Sequence, residues 1–116
     1  MDKELFYEVA PVVGGVVCYE DTWYGHIVAE HPEMAGKEED VRATVKDPSL
    51  VVTSYSNSYL LVNEDISHPD MPEAVLRVPV HRHGTMYQVS TAYFDDDVTG
   101  GGGEIVYRKD ATRIIR

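Results

Sequence analysis

The sequence contains very little cysteine. Cys18 is the single one among 116 residues, so no disulfide can form within the chain. Small secreted domains usually depend on several disulfides, and we therefore expect a reducing, cytoplasmic environment. Long apolar runs are lacking too, because Pro11, Gly14 and Gly15 interrupt the stretch at 9–18. The sequence thus predicts no signal peptide, no membrane-spanning segment and no membrane partner.

Basic residues are also scarce. Ten Lys and Arg stand against twenty Asp and Glu, which gives a net charge of −10 at pH 7. Because proteins bind the phosphate backbone through clustered cations, this balance argues against a broad nucleic-acid-binding surface. Acidity with so few lysines is equally typical of adaptation to high salt, in which case the net charge does not report on the partner.

The length predicts a single domain over 1–116, at about 100 to 200 residues per domain. Hydrophobic residues make up 43% and charged residues 26%, which is ordinary for a chain that buries a core. The pattern divides the chain into three parts: an extended or hairpin entry segment at 1–21, a helical part at 22–48 and an antiparallel sheet at 49–116.

Two short helices are predicted in the helical part. The first should begin near Trp23 after a cap formed by Asp21-Thr22, and it should end before Pro32. The second is predicted over 37–46, where acidic residues come first and apolar residues share one face.

From residue 49 onward the apolar period changes to two, which is typical of strands. Five are predicted, at 50–55, 59–63, 74–81, 86–94 and 104–108. Because Pro79 cannot donate to a strand ladder, we expect it at a bulge or on a free edge. Helices followed by strands predict an α+β fold, with two N-terminal helices packed on a four- to five-stranded antiparallel sheet.

Two histidines flank the first predicted helix. His26 and His31 would lie about 140° apart around it, so they cannot chelate one metal ion as an HExxH motif does. Glu30 comes four residues after His26 and can orient its imidazole for proton transfer. The structural alternatives are an exposed histidine paired with a carboxylate and, for His31, a hydrogen-bonded histidine that closes the helix.

Alternation along the strand at 74–81 predicts one apolar face and one cationic, solvent-facing surface. Arg77, His81 and His83 share the cationic face, a group that can hold a phosphate and exchange protons. The alternative is a solvated strand edge, and a His-x-His pair without a visible third ligand is only a weak metal motif. Aromatic residues can stack on bases, so Trp23 and Tyr24 join His81 and His83 as candidate substrate-binding residues.

The glycine run at 100–103 matches no phosphate-loop or dinucleotide-binding pattern. No Lys-Ser/Thr pair follows it, and the neighbouring aspartates at 95–97 would repel phosphate. We interpret this run as a flexible loop.

Four short motifs together resemble the phage-associated members of the BECR nucleases, a superfamily of barnase-like, EndoU-like, colicin-tRNase-like and RelE-like domains. The motifs are Trp23-x-x-His26-Ile27, then His31-Pro32-Glu33, then Thr44 to Asp47-Pro48, and finally Ser90-Thr91-Ala92-Tyr93. The resemblance covers about Trp23 to Phe94.

This resemblance implies metal-independent cleavage of RNA, without a cofactor, by attack of the 2′-hydroxyl on the adjacent phosphate. By position, His26 and His31 match the helix motif, and Thr91 and Tyr93 match the terminal-strand motif. We add Arg77 from the strand pattern, to stabilise the charge that develops on phosphorus. The implied partners are RNA, with tRNA as one candidate, and a cognate antitoxin or immunity protein.

Two other classes of function remain open at this stage. A non-catalytic immunity, antitoxin or inhibitor protein could use its acidic surface to mimic nucleic acid or to cover a basic partner. A structural domain of a larger assembly could use its aromatic residues at an interface. A nuclease requires Arg77, His26 and Thr91 to converge in one cleft with locally positive potential, whereas an acidic inhibitor requires carboxylates clustered on one face and scattered histidines.

Overall fold

The computed structural model describes residues 2–100 and 103–110. Eight strands lie in this part of the chain. They are β1 (Glu4–Ala10), β2 (Gly14–Tyr19), β3 (Leu50–Ser54), β4 (Ser58–Asn63), β5 (Val75–His83), β6 (Met86–Val89), β7 (Tyr93–Asp95) and β8 (Ile105–Arg108). All belong to one sheet in the order β1-β2-β6-β5-β4-β3-β8, with β7 paired to β5.

Three consecutive segments form the first helix, α1. Glu20–Thr22 is α-helical, Trp23–Ile27 is a π-helix and Val28–Glu30 is again α-helical. A 3₁₀ turn at Pro32–Met34 then leads to the second helix, α2, at Glu38–Lys46. Within the described residues, neither helix has the length and apolar character needed to span a bilayer.

The predicted start of the first helix is wrong. α1 begins at Glu20 and not near Trp23, so Asp21 and Thr22 lie in its first turn and do not cap it. The residue before the helix, Tyr19, makes no side-chain capping hydrogen bond. Two acidic residues in the first turn favour this earlier start, because they interact well with the partial positive charge of a helix N-terminus.

The predicted architecture is also wrong. The sheet has eight strands among the described residues, where four or five were expected beneath two helices. The entry segment expected at 1–21 contributes the β1–β2 hairpin, and β2 pairs with β6 in parallel, Val16 with Tyr87 and Val17 with Gln88. The apolar run from Val16 to Cys18 is fully buried, as befits a strand with neighbours on both sides.

The predicted strand at 86–94 is divided into β6 and β7, and Pro79 explains the division. The carbonyl of Pro79 accepts a hydrogen bond from the Ser90 N–H at 2.9 Å, so the backbone polar groups of Pro79 point toward that neighbour. Proline has no N–H to return, and pairing between β5 and its neighbour stops there. Of the two positions expected for Pro79, the free edge is wrong, because β5 has β4 on one side and β6 and β7 on the other; the pairing opposite Pro79 is interrupted at 90–92.

The two faces of the sheet are covered differently. The main core lies between the helices and the face that carries Leu61 and Val78, and it includes Trp23, Ile27, Val41 and Val45. We call the opposite side, which carries Leu60, Arg77 and Pro79, the second face. A smaller cluster there consists of Leu50, Val52, Leu60 and Val62, with Val75 and Val98 packed against it. The segment after β7 therefore folds back over the second face.

Candidate active site

A pocket of about 300 Å³ opens on the second face. It is lined by Ser54, Tyr55, Ser56, Ser58, Tyr59, Leu60, Arg77, Pro79, Val80, Ser90 and Tyr93. These residues come from the β3–β4 hairpin, from β5 and from the segment where β6 gives way to β7. The break opposite Pro79 thus frees Ser90 from a regular ladder and places it in the pocket wall.

The pocket differs in charge from the rest of the molecule. Although the chain has twenty Asp and Glu, no carboxylate from its described part lines the pocket, and Arg77 is the one charged lining residue. The other polar groups in the wall are hydroxyls, which can both donate and accept hydrogen bonds. An anionic ligand can therefore enter this pocket without meeting a carboxylate in its wall.

The sequence predicted that Arg77 lies on a solvent-facing surface, and this prediction is wrong. It is 6% exposed, because residues that follow β7 cover it. Its Nη1 donates to the carbonyl of Asp97, and its Nη2 donates to the carbonyl of Gly100 at 2.6 Å. Of the described residues, none offers a hydrogen-bond partner to its Nε. The guanidinium is thus a fixed buried cation that anchors a loop through one N–H of each terminal nitrogen.

Tyr93 lies between the guanidinium of Arg77 and the imidazole of His31. Its ring centre is 5.6 Å from the guanidinium carbon of Arg77 and 5.5 Å from the ring centre of His31. The imidazole and the phenol planes are 30° apart, so the two rings stack. Nδ1 of His31 lies 3.7 Å from Oε2 of Glu33. Three of the five predicted catalytic residues therefore come together beside the pocket.

No contact among the described residues joins the other two predicted catalytic residues, His26 and Thr91, to this group, so the convergence of Arg77, His26 and Thr91 expected of a nuclease is not observed. Nδ1 of His26 is 2.9 Å from Oε2 of Glu30, which confirms the pairing expected from their spacing, and both side chains are exposed. No described hydrogen bond, ion pair or ring contact joins His26 to Tyr93. Thr91 has a buried hydroxyl that finds no hydrogen-bond partner among residues 2–100 and 103–110.

The predicted substrate-binding residues fall into different environments. Trp23 is fully buried in the main core and is not available to a ligand, whereas Tyr24 beside it is exposed. His81 lies on the second face, and its Nδ1 is 2.6 Å from the Ser90 hydroxyl. His83 stands next to it, with ring centres 5.8 Å apart. His81 thus contacts the pocket wall through Ser90.

The loop after β7 is held by its own backbone as well as by Arg77. The N–H of Asp97 donates to Oδ1 of Asp95 at 2.9 Å. This hydrogen bond is the largest cause that lowers the pKa of the Asp95 carboxyl, and the charge of Arg77 adds a smaller effect. The glycine run was predicted to be a flexible loop, but Gly100 accepts from Arg77; Gly101 and Gly102 lie outside the described residues.

Cys18 lies in β2, where it is fully buried. Burial raises the pKa of its thiol to about 12. It therefore stays protonated at neutral pH and does not act as a nucleophile. No group of three or more His, Cys, Asp or Glu within 2–100 and 103–110 is arranged to hold a metal ion.

Family models, curated proteins and solved structures give no match to this chain. The resemblance to the BECR nucleases therefore stays a prediction based on four motifs.

Sequence reasoning missed most of the pocket wall. Three serines alternate in the stretch Ser54-Tyr55-Ser56-Asn57-Ser58, which the sequence divides between the end of the predicted strand at 50–55 and the break before the strand at 59–63. Ser54 pairs with Ser58 across the hairpin, so both side chains lie on the same face as Pro79. The sequence pattern that could have indicated this wall is the alternation of serines at the end of a hairpin, opposite His81 on the next strand.

Proposed function

We propose that this chain is a metal-independent ribonuclease that cleaves RNA beside Tyr93. The observation that carries the proposal is the stacking of His31 on Tyr93. One residue belongs to the helix motif of the BECR resemblance and the other to its terminal-strand motif. Residues so far apart in sequence have no local reason to meet, and their contact beside a pocket supports a shared role.

The chemistry requires two proton transfers. The 2′-oxygen forms a bond to phosphorus, the bond from phosphorus to the 5′-oxygen breaks, and the products are a 2′,3′-cyclic phosphate and a free 5′-hydroxyl. A base must take the proton of the 2′-hydroxyl, and an acid must protonate the leaving oxygen. The side chain of His31 is 32% exposed, and an imidazole can both take and give a proton, so His31 is our candidate for both transfers.

Arg77 has a different role from the one expected from sequence. Each terminal nitrogen gives one N–H to a backbone carbonyl and the side chain is 6% exposed, so the loop after β7 holds the guanidinium in place. The guanidinium acts as a fixed positive charge next to the Tyr93 ring. Such a charge stabilises the negative charge that develops on the phosphate, and no side chain has to move during the reaction. The Tyr93 hydroxyl is then the direct hydrogen-bond donor to the phosphate.

The acidity of the chain limits the kind of substrate. A net charge of −10 opposes general binding along a polyanion, but no carboxylate of the described residues lines the pocket wall. We therefore expect local recognition of a short RNA segment and strong dependence on salt, and not affinity for long duplexes.

The proposal is tested by incubating the protein with total RNA and with purified tRNA at several salt concentrations, with and without EDTA. We expect EDTA-resistant cleavage that leaves 2′,3′-cyclic phosphate ends. No cleavage at any salt concentration would contradict the proposal and favour an acidic, non-catalytic binding protein.

A further inference from the structure

The pocket on the second face is organised in three rows across the sheet. Register places Ser54, Ser58 and His81 in one row, and it places Leu60, Pro79 and Ser90 in the next. Val62, Arg77 and Tyr93 form the third row. The first and third rows are four residues apart along β5, or about 13 Å at 3.3 Å per residue.

Each row offers a different chemistry. The first supplies hydroxyls from the β3–β4 hairpin, with Tyr55 beside them at 82% exposure. The second supplies an apolar floor from Leu60 and Pro79. The third supplies the Tyr93 hydroxyl and the buried charge of Arg77. The pocket is therefore polar at one end, apolar in the middle and positive at the other.

We propose that this pocket holds a single nucleoside of single-stranded RNA, with the base between Tyr55 and the Leu60–Pro79 floor and the 3′-phosphate at Tyr93. This inference rests on the proposed function, since it assigns the substrate of the same site. A volume of about 300 Å³ is at the lower end of small-ligand pockets, which suits one nucleoside and excludes a paired duplex.

The hydroxyl groups provide the means of reading a base. A base reaches such a pocket only when it is unstacked and unpaired, as in loops and single strands. Its polar edge would then face Ser54, Ser58 and Ser90, which can donate or accept. Ser90 Oγ lies 2.6 Å from Nδ1 of His81, so the tautomer of His81 decides whether the Ser90 hydroxyl donates to the imidazole or accepts from it, and therefore what this hydroxyl offers to the base.

The test measures binding separately from cleavage. The full chain is titrated with each of the four nucleoside 3′-monophosphates and with inorganic phosphate, and amide shifts are followed by NMR. We expect shifts at residues 54–60, 80 and 90–93, and tighter binding of at least one nucleotide than of phosphate. An oligoribonucleotide with 2′-deoxy substitution should bind at the same residues without being cut.

Two variants and one control make the test specific. Tyr55→Ala should weaken nucleotide binding by at least about fivefold, because a base stacked on an aromatic ring contributes substantially to affinity. Ser90→Ala should weaken it by about three- to tenfold through the loss of one hydrogen bond. Tyr7→Ala removes another exposed tyrosine, on β1 and outside the pocket wall, and should leave the affinity unchanged.

The outcomes separate this inference from the proposed function. Nucleotide shifts at the pocket without RNA cleavage would support the pocket assignment and contradict the ribonuclease. RNA cleavage with shifts elsewhere would overturn the pocket assignment and leave the ribonuclease standing. Equal affinity for phosphate and nucleotides, equal effects of Tyr55→Ala and Tyr7→Ala, or no binding at all would also overturn it.

Discussion

The imidazole of His31 stacks on the phenol ring of Tyr93, with ring centres 5.5 Å apart. His31 directly follows α1, and Tyr93 is the first residue of β7. On one side, β5 pairs first with β6 and, beyond the break opposite Pro79, with β7. The other neighbour of β6 is β2. Since α1 follows β2 directly, its end is brought near the start of β7. The break opposite Pro79 thus helps to position Tyr93, and the pairing of β2 with β6 helps to position His31.

The Tyr93 hydroxyl can be tested apart from its ring. Tyr93→Phe keeps the stacking with His31 and removes the donor that we assign to the phosphate. We expect the rate of RNA cleavage to fall by about 100-fold, as for the loss of one preorganised donor to a developing oxyanion. The melting temperature should not change. Tyr107→Phe, on β8, is the matched control, and equal cleavage rates in the two variants would contradict the assignment.

Arg77 should matter to stability as well as to activity. Arg77→Met removes the hydrogen bonds to the carbonyls of Asp97 and Gly100, and leaves both acceptors without their charged donor. We expect the free energy of unfolding to fall by about 2 to 3 kcal/mol in urea denaturation. Arg77→Lys should not restore it, because an ammonium cannot reproduce the two-pronged geometry. An unchanged unfolding midpoint in Arg77→Met would show that the loop does not depend on this residue.

Cys18 should be unreactive in the folded protein. Its pKa is raised to about 12 by burial, so the thiol stays neutral far above physiological pH. Because the thiolate is the reactive form, a thiol reagent at pH 8 should leave native Cys18 unmodified and should modify it rapidly in denaturant. Rapid modification of the native protein at pH 8 would contradict the burial of this strand.

Local patterns predicted much of the secondary structure. α2 was expected at 37–46 and spans Glu38–Lys46, and β3, β4, β5 and β8 begin and end within two residues of their predictions. These elements carry their own signals: an acidic first turn, a period of two, and turn residues between strands. The alternation at 74–81 also correctly separated Leu76 and Val78 from Arg77 and His81.

What the sequence could not predict depends on contacts between distant segments. The parallel pairing of β2 with β6 has no local signal, because it depends on strands far apart in the chain. The burial of Arg77 follows from a later loop whose Val98 packs on the second face, and strand alternation contains no information about that cover. The family resemblance assigned His31 and Tyr93 to separate motifs and did not predict their contact, and the strand and turn patterns did not indicate the serines of the pocket.

The most direct test of the central claim uses one short oligoribonucleotide cut by the protein in EDTA. Replacing the ribose at the cut position by 2′-deoxyribose should abolish cleavage, and His31→Ala should slow cleavage of the all-ribose substrate by at least about 100-fold. His68→Ala serves as the control, since His68 contacts Phe94 away from the pocket wall. Cleavage that survives the 2′-deoxy substitution, or that proceeds equally well in His31→Ala, would contradict the account.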